Sequence, residues 1–225
     1  MNKVCITITG KTSDEIIQKI NQLSSEHDFF EIRLDGLLDL SESVITKIFE
    51  QTSNQKTIAT IRTADEGGEF SRYEDYLKLI QACFSSKASF VDVELAMLNK
   101  YQQLAKLIDE VRTIISYHNF DQTPSESELK QVTSDMRTIS EDAIVKIACM
   151  AEDMSDVNRL IELQRSLPKD KAIIVAMGEH GQILRLLGLA IGAFATFASA
   201  DSSPVAPGQL YYKDMNKIVS LMENK

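Results

Sequence analysis

The chain has 225 residues, 44% of them hydrophobic and 25% charged, the composition of an ordinary globular protein with ample core material. Its formal charge of −9 and pI near 4.9 argue against nucleic acid and anionic membranes as partners, because such a surface repels both. No run approaches the roughly 20 apolar residues of a membrane span, and the opening MNKVCITITG lacks the sustained apolar region of a signal peptide.

In chain order, short β-branched runs are expected to form strands at 4–9, 29–34, 57–63, 90–95, 113–118, 143–150, 172–177 and 194–199. Between them apolar residues recur at helical spacing. Ile16, Ile20 and Leu23 do so after the first strand, and Leu104, Leu107, Ile108 and Val111 after the fourth. Met215, Ile218, Val219 and Met222 do so in the last helix. Thr12/Glu15, Ser71/Glu74 and Ser125/Glu128 have capping-box spacing, and Ser41, Asn99 and Ser155 are simple N-cap candidates. Eight βα units predict an α/β fold, a (β/α)8 TIM barrel forming one catalytic domain over 1–225, since such barrels typically take about 250 residues. An open doubly wound sheet would want a phosphate-binding glycine loop after the first strand, and TGKTSDE is not GxGxxG.

Cys5, Cys83 and Cys149 are odd in number, lack CxxC spacing and lie in apolar runs. They read as reduced, packed thiols of a cytoplasmic protein, with no redox or zinc role.

Alternation along each strand sorts its side chains into two faces. Glu31, Arg33 and Asp35 oppose Phe30, Ile32 and Leu34, and Thr60 and Arg62 oppose Ala59 and Ile61. Asp92 and Glu94 oppose Val91, Val93 and Leu95, while Ser116 and His118 oppose Ile115 and Tyr117. Lys146 opposes Val145 and Ile147, with Ile144 and Ala148 on its own face. With the apolar faces against helices, the charged faces turn inward, which is costly unless they are paired or wet. One buried ion pair would account for Glu31 and Arg33 alone. Seven ionisable groups on five strands, near the ends where barrel active sites lie, point to a functional site.

Lys146 is the informative residue. An amine at its ordinary pKa of about 10.4 is protonated at pH 7, and burial among apolar neighbours is one way enzymes prepare a lysine to attack carbonyls. A lysine paired with an inward carboxylate is the structural alternative. His118 on the adjacent strand tips the balance toward catalysis, because forming an imine and eliminating from it need a proton shuttle beside the nitrogen. His27, at a helix end, is expected to be solvated, and His180 to be a loop residue.

The segments EIRLD, TIRTADEGGEF, SYHNF, KIACM, MGEHGQILRLLG and SPVAPGQL stand in this order, each at a strand end or the loop after it. Any one is weak, but all six together resemble type I 3-dehydroquinate dehydratase over nearly the whole chain. The resemblance implies Schiff-base dehydration of 3-dehydroquinate to 3-dehydroshikimate in the shikimate pathway, with no metal or coenzyme. It implies that Lys146 forms the imine, His118 is the general acid and base, and Glu66 orients and charges that histidine. Glu31, Arg33 and Arg62 would hold the ring hydroxyls and order the site. Arg185 would take the substrate carboxylate, Met177 and Phe197 would form apolar walls, and Gln209 would reach the substrate from a lid over 201–209. Val205 stands where family members commonly carry Ser or Thr, which leaves Ser202, Ser203 or no residue at all to supply that hydroxyl. Leu184 replaces a serine often found beside the arginine. The first strand is expected almost at the N-terminus, without the hairpin that floors longer members.

The partner is therefore expected to be a small anionic cyclic polyol ketone, with monomer and homodimer both open. Three other readings of the same residues remain to be separated, and the weakest is a non-catalytic barrel for binding or scaffolding, since an unused lumen would gain nothing from so much buried charge. A class I aldolase would want glycine-rich phosphate loops after the last two strands, and SPVAPGQ is a poor one. A metal enzyme using Asp92, Glu94, Glu31 and His118 as ligands would have to tolerate two arginines and a lysine among them.

Overall fold

The structure is a computed structural model that describes residues 3–108 and 112–223. Strands and helices alternate in the order β1 (Val4–Ile8), α1 (Ser13–Leu23), β2 (Phe29–Arg33), α2 (Glu42–Gln51), β3 (Lys56–Thr60) and α3 (Tyr73–Ser85). There follow β4 (Phe90–Glu94), α4 (Leu95–Lys100), α5 (Ala105–Ile108), β5 (Thr113–Asn119), α6 (Glu126–Ile139) and β6 (Ile144–Met150). The chain ends with α7 (Met154–Ser166), β7 (Ala172–Met177), α8 (Gln182–Leu187), β8 (Thr196–Ser199), β9 (Leu210–Tyr211) and α9 (Tyr212–Glu223). All eight expected strands are present, each within a few residues of its expected bounds. Val111 and the Met222 side chain lie outside the described residues.

The elements group into two compact units, one of Ile8–Ser116 and one of Lys3–Thr7 with the chain from Tyr117 onward. In the first, β2, β3, β4 and the start of β5 lie side by side in parallel, with Arg33 opposite Thr60, Thr60 opposite Asp92 and Glu94 opposite Ser116. Phe30, Ile32, Ile58, Val91 and Val93 on these strands are buried, as are Ile45, Ile48 and Phe49 of α2 and Tyr76 and Ile80 of α3. Strands covered on both faces read as apolar runs, so the charged positions in them stand out as exceptions.

In the second unit β6 and β7 pair in parallel from Val145 and Ala172 to Met150 and Met177. β8 pairs in parallel with β1 on one side and with the two-residue β9, which no sequence signal announced, on the other. Near the start of β7 the Phe194 N–H donates to the Ala172 carbonyl at 2.8 Å. Further along, the Ile174 N–H finds the side-chain oxygen of Gln164, reaching in from α7 at 3.1 Å. Buried backbone donors must be satisfied, and a helix side chain does it here.

Helix starts divide into those the local pattern controls and those it does not. Ser125 and Glu128 close a full capping box on α6, and Thr12 caps α1 through the Glu15 N–H. Ser41 stands at the N-cap of α2 without a side-chain bond to the helix backbone, its hydroxyl instead meeting that of Ser43 at 3.2 Å. Ser71 does not cap α3, because Phe70 is held in a bridge to Thr63 and the helix begins only after Arg72. Asn99 lies inside α4, which follows β4 without a break. Asp153, not Ser155, caps α7, since its carboxylate reaches the N–H groups of both Ser155 and Asp156 at 2.8 and 3.1 Å. His27 is also not solvated. Its backbone N–H donates to the Leu23 carbonyl in the turn leaving α1, and the residue is 3% exposed. Desolvation outweighs Glu26 and Asp28 and lowers its pKa.

Candidate active site

The unit of Ile8–Ser116 contains a buried cluster centred on Arg62. Its Nη1 donates to Glu94 Oε1 at 3.1 Å and to Ser116 Oγ at 2.9 Å, and its Nη2 donates to Asp92 Oδ1 at 2.9 Å. Glu66 Oε2 lies 3.6 Å from the same guanidinium. Ser116 in turn donates to Asp92 at 2.6 Å, and Thr60 donates to Glu31 at 3.2 Å. Burial alone would lower the Arg62 pKa, but Asp92, Glu94, Glu66 and Glu31 together raise it, so this cation is permanent. Arg33 makes a two-bond fork to Asp35, both bonds 2.8 Å. Desolvation pushes the Asp35 carboxyl upward, and the fork plus the N–H groups of Glu69 and Arg62 hold it below its ordinary value.

The strand expected over 57–63 stops at Thr60, and that early stop shapes the cluster. Beyond it strict alternation no longer holds, so neighbours Arg62 and Thr63 both reach Glu94. The Thr63 N–H and hydroxyl donate to that carboxylate at 2.8 and 2.6 Å. The segment then turns back: the Phe70 N–H donates to the Arg62 carbonyl and the Gly68 N–H to the Thr63 carbonyl. A Cβ on Gly68 would sit 2.0 Å from the Arg62 carbonyl oxygen, so only glycine permits this return. It carries Glu66, in a 3-10 turn, into a buried position.

The second unit holds the other expected residues. Lys146, on β6, is 5% exposed, and its Nζ lies 4.7 Å from the ring centroid of Phe197 on β8. Such a contact suits a positively charged nitrogen. Met177 ends β7, buried and in register with Met150. His118 lies within β5, half-buried, its ring stacked on Phe120 at 6.3 Å. His180 is exposed in the turn before α8, as its sequence position suggests.

Arg185, on α8, is 4% exposed, and among the described residues no carboxylate pairs with it. Its Nη2 donates to the Pro207 carbonyl at 3.0 Å and its Nε has no partner. Burial lowers its pKa to about 10, which leaves it charged at neutral pH. Gln209 folds inward from the same segment. It donates to Thr7 Oγ1 at 3.0 Å and accepts from the Val205 N–H at 3.0 Å. Val205 is half-buried, whereas Ser202 and Ser203 are exposed, and the Ser203 carbonyl accepts from Ser199 Oγ at 2.9 Å.

The structure thus brings together Arg62 with Glu66, and Lys146 with Phe197. Arg33 pairs instead with Asp35. Sequence reading passed over Thr63, Thr7 and the Pro207 carbonyl. Thr63 was visible as a polar residue beside Arg62 in TIRT, but the other two act from far along the chain and leave no local signal.

Residues 4–225 match the sequence profile of the type I 3-dehydroquinases. The chain is 33% identical to the 3-dehydroquinate dehydratase of Methanocaldococcus jannaschii over 99% of its own length and all of the other. It superposes on a type I 3-dehydroquinate dehydratase of Clostridium difficile, solved with covalently modified comenic acid, at a TM-score of 0.85 and 28% identity. That match covers 98% of this chain and 92% of the other. The 3-dehydroquinate dehydratase of Geobacillus kaustophilus gives a TM-score of 0.86 over 99% and 91% of the two chains, and at 24% identity it speaks for the fold alone. The fold class is the (β/α)8 barrel of these structures.

Proposed function

The chain belongs to the type I 3-dehydroquinase family, and on that premise we propose that Lys146 carries its covalent chemistry and His118 its proton transfers. Its activity is the dehydration of 3-dehydroquinate to 3-dehydroshikimate, a hydro-lyase step of the shikimate pathway. The observation that carries the assignment is Lys146 itself, buried in the middle of a parallel strand with its amine over the Phe197 ring.

The Lys146 amine attacks the substrate ketone, and loss of water leaves an iminium. The iminium draws electrons from the adjacent carbon, so a histidine can remove the proton there. Electrons returning through the resulting enamine expel the neighbouring hydroxyl, which leaves as water with a proton from His118. Hydrolysis of the conjugated iminium then frees the lysine. Arg185 takes the substrate carboxylate, a role supported by its burial without an anionic partner among the described residues. Met177 and Phe197 line the ring, and Gln209 reaches it from the lid. The roles of Glu31, Arg33, Arg62 and Glu66 rest on the family resemblance. The same reading needs no metal or coenzyme. It keeps the protein in the cytoplasm, where its three buried free cysteines stay reduced, as a monomer or homodimer without nucleic acid.

Borohydride added with 3-dehydroquinate should reduce the iminium, inactivate the protein and leave one adduct on the KIACM peptide. Lys146→Arg should lose activity and labelling together, because a guanidinium does not form the imine. An adduct on a different lysine would overturn the assignment.

A further inference from the structure

The segment between β8 and β9 is uneven. Residues 201–204 are exposed, whereas Val205 to Gln209 form a closed turn in which the Gln209 N–H donates to the Ala206 carbonyl at 3.0 Å. That turn lies directly on the backbone that leaves β7. Gly208 has φ +72, and a Cβ on it would sit 2.2 Å from the Gly178 carbonyl oxygen and 3.2 Å from its nitrogen. Gly178 has φ +85, and its N–H donates to the Pro207 carbonyl at 3.3 Å. The same carbonyl receives Arg185 Nη2 at 3.0 Å. One backbone oxygen therefore joins the turn, the end of β7 and the buried guanidinium.

We propose that the 206–208 turn is a positioning element for Arg185: the Gly178–Gly208 contact sets the Pro207 carbonyl, and that carbonyl sets the plane of the guanidinium. This rests on Arg185 being the carboxylate-binding residue of the proposed function. A guanidinium binds a carboxylate as a fork, so its plane matters as much as its place. With Nη2 held and Nε without a partner, an edge of the fork is left for the ligand. Both glycines have positive φ, and the one at 208 leaves no room for a methyl group, so no other residue brings the two backbones this close.

Gly208→Ala forces the turn off Gly178 and carries the Pro207 carbonyl away from Arg185. KM for 3-dehydroquinate should rise by about tenfold to a hundredfold, the scale of a misplacement near 1 Å, while kcat falls much less. Borohydride labelling of Lys146 at saturating substrate should persist. A purely structural role would raise KM and lower kcat alike in any background, so the deciding measurement is a double-mutant cycle. In an Arg185→Ala background, Gly208→Ala should change kcat/KM by less than about twofold, because the positioned group is gone. Additive losses would overturn the proposal, as would an unchanged KM. If Gly208→Ala does not fold, proteolysis gives a second measure. Cleavage within 201–204 of the ligand-free Arg185→Ala variant should be faster than in the parent, since the contact restrains both partners, and equal rates would overturn the proposal. Failure of Lys146 to label in the parent enzyme would instead take down the function assigned above.

Discussion

Arg62 and Arg185 are buried alike, 3% and 4% exposed, yet they differ in every other respect. Arg62 meets Asp92, Glu94 and Ser116 within hydrogen-bond distance, with Glu66 just beyond, and its charge is more than balanced. Arg185 meets one backbone carbonyl. Desolvation works against both cations, and in the first the surrounding carboxylates reverse its effect whereas in the second no described residue does. A buried cation with its own carboxylates is a fixed part of the fold. A buried cation without one is stabilised only when an anion arrives, which is what a binding residue requires.

The contrast predicts opposite signatures for the two deletions. Arg62→Ala should destabilise the protein by about 3–5 kcal/mol in urea unfolding, because it strands several buried carboxylates. A loss well under ~1 kcal/mol would show that the cluster is not held by this arginine. Arg185→Ala should leave the urea midpoint unchanged or slightly raised, since it removes a charge that burial disfavours. Its effect should appear in kcat/KM, as a loss of about 2–5 kcal/mol in transition-state binding, with Arg185→Lys recovering only part. A large stability loss at Arg185, or none in kcat/KM, would erase the distinction.

Two smaller effects sharpen the first half of the comparison. Gly68→Ala places a methyl group against the Arg62 carbonyl and should cost about 1–3 kcal/mol in unfolding experiments, the usual range for overpacking. Full stability would mean that the return loop is not fixed there. The smallest effect is at His27, where charge is avoided rather than balanced. Its folded pKa is lowered by desolvation, so the unfolded chain binds the proton more readily. Stability should therefore fall as pH drops below about 6.5, the unfolded value, and level off below the folded pKa. Measured between about pH 7.5 and 5.5, His27→Gln should flatten this slope, and an unchanged slope would assign it to other groups.

The positions of Lys146, Asp92 and Glu94 were legible because a two-residue period is local: a charged residue flanked by apolar ones on a strand announces its face. The expected bounds of β2, β4 and β7 follow for the same reason. The errors arose where a distant contact overrode a local signal. Ser71 lost its cap because Phe70 is held by Thr63, and the third strand ended early because the DEGGEF segment folds back on it. His27 lost its expected solvation to the turn that packs it.

By itself the sequence determined the alternation of strand and helix, the charged positions that interrupt the apolar strands and the six ordered segments that mark the family. These depend on neighbours a few residues apart. Only the tertiary structure decided which partner each charge has. It placed four carboxylates around Arg62 and none, among the described residues, around Arg185. It also joined Gln209 to Thr7 across 202 positions of chain. A residue's type and spacing are written in its own stretch of chain, but the partner that satisfies a buried charge comes from wherever folding brings a complementary group, and periodicity carries no record of that.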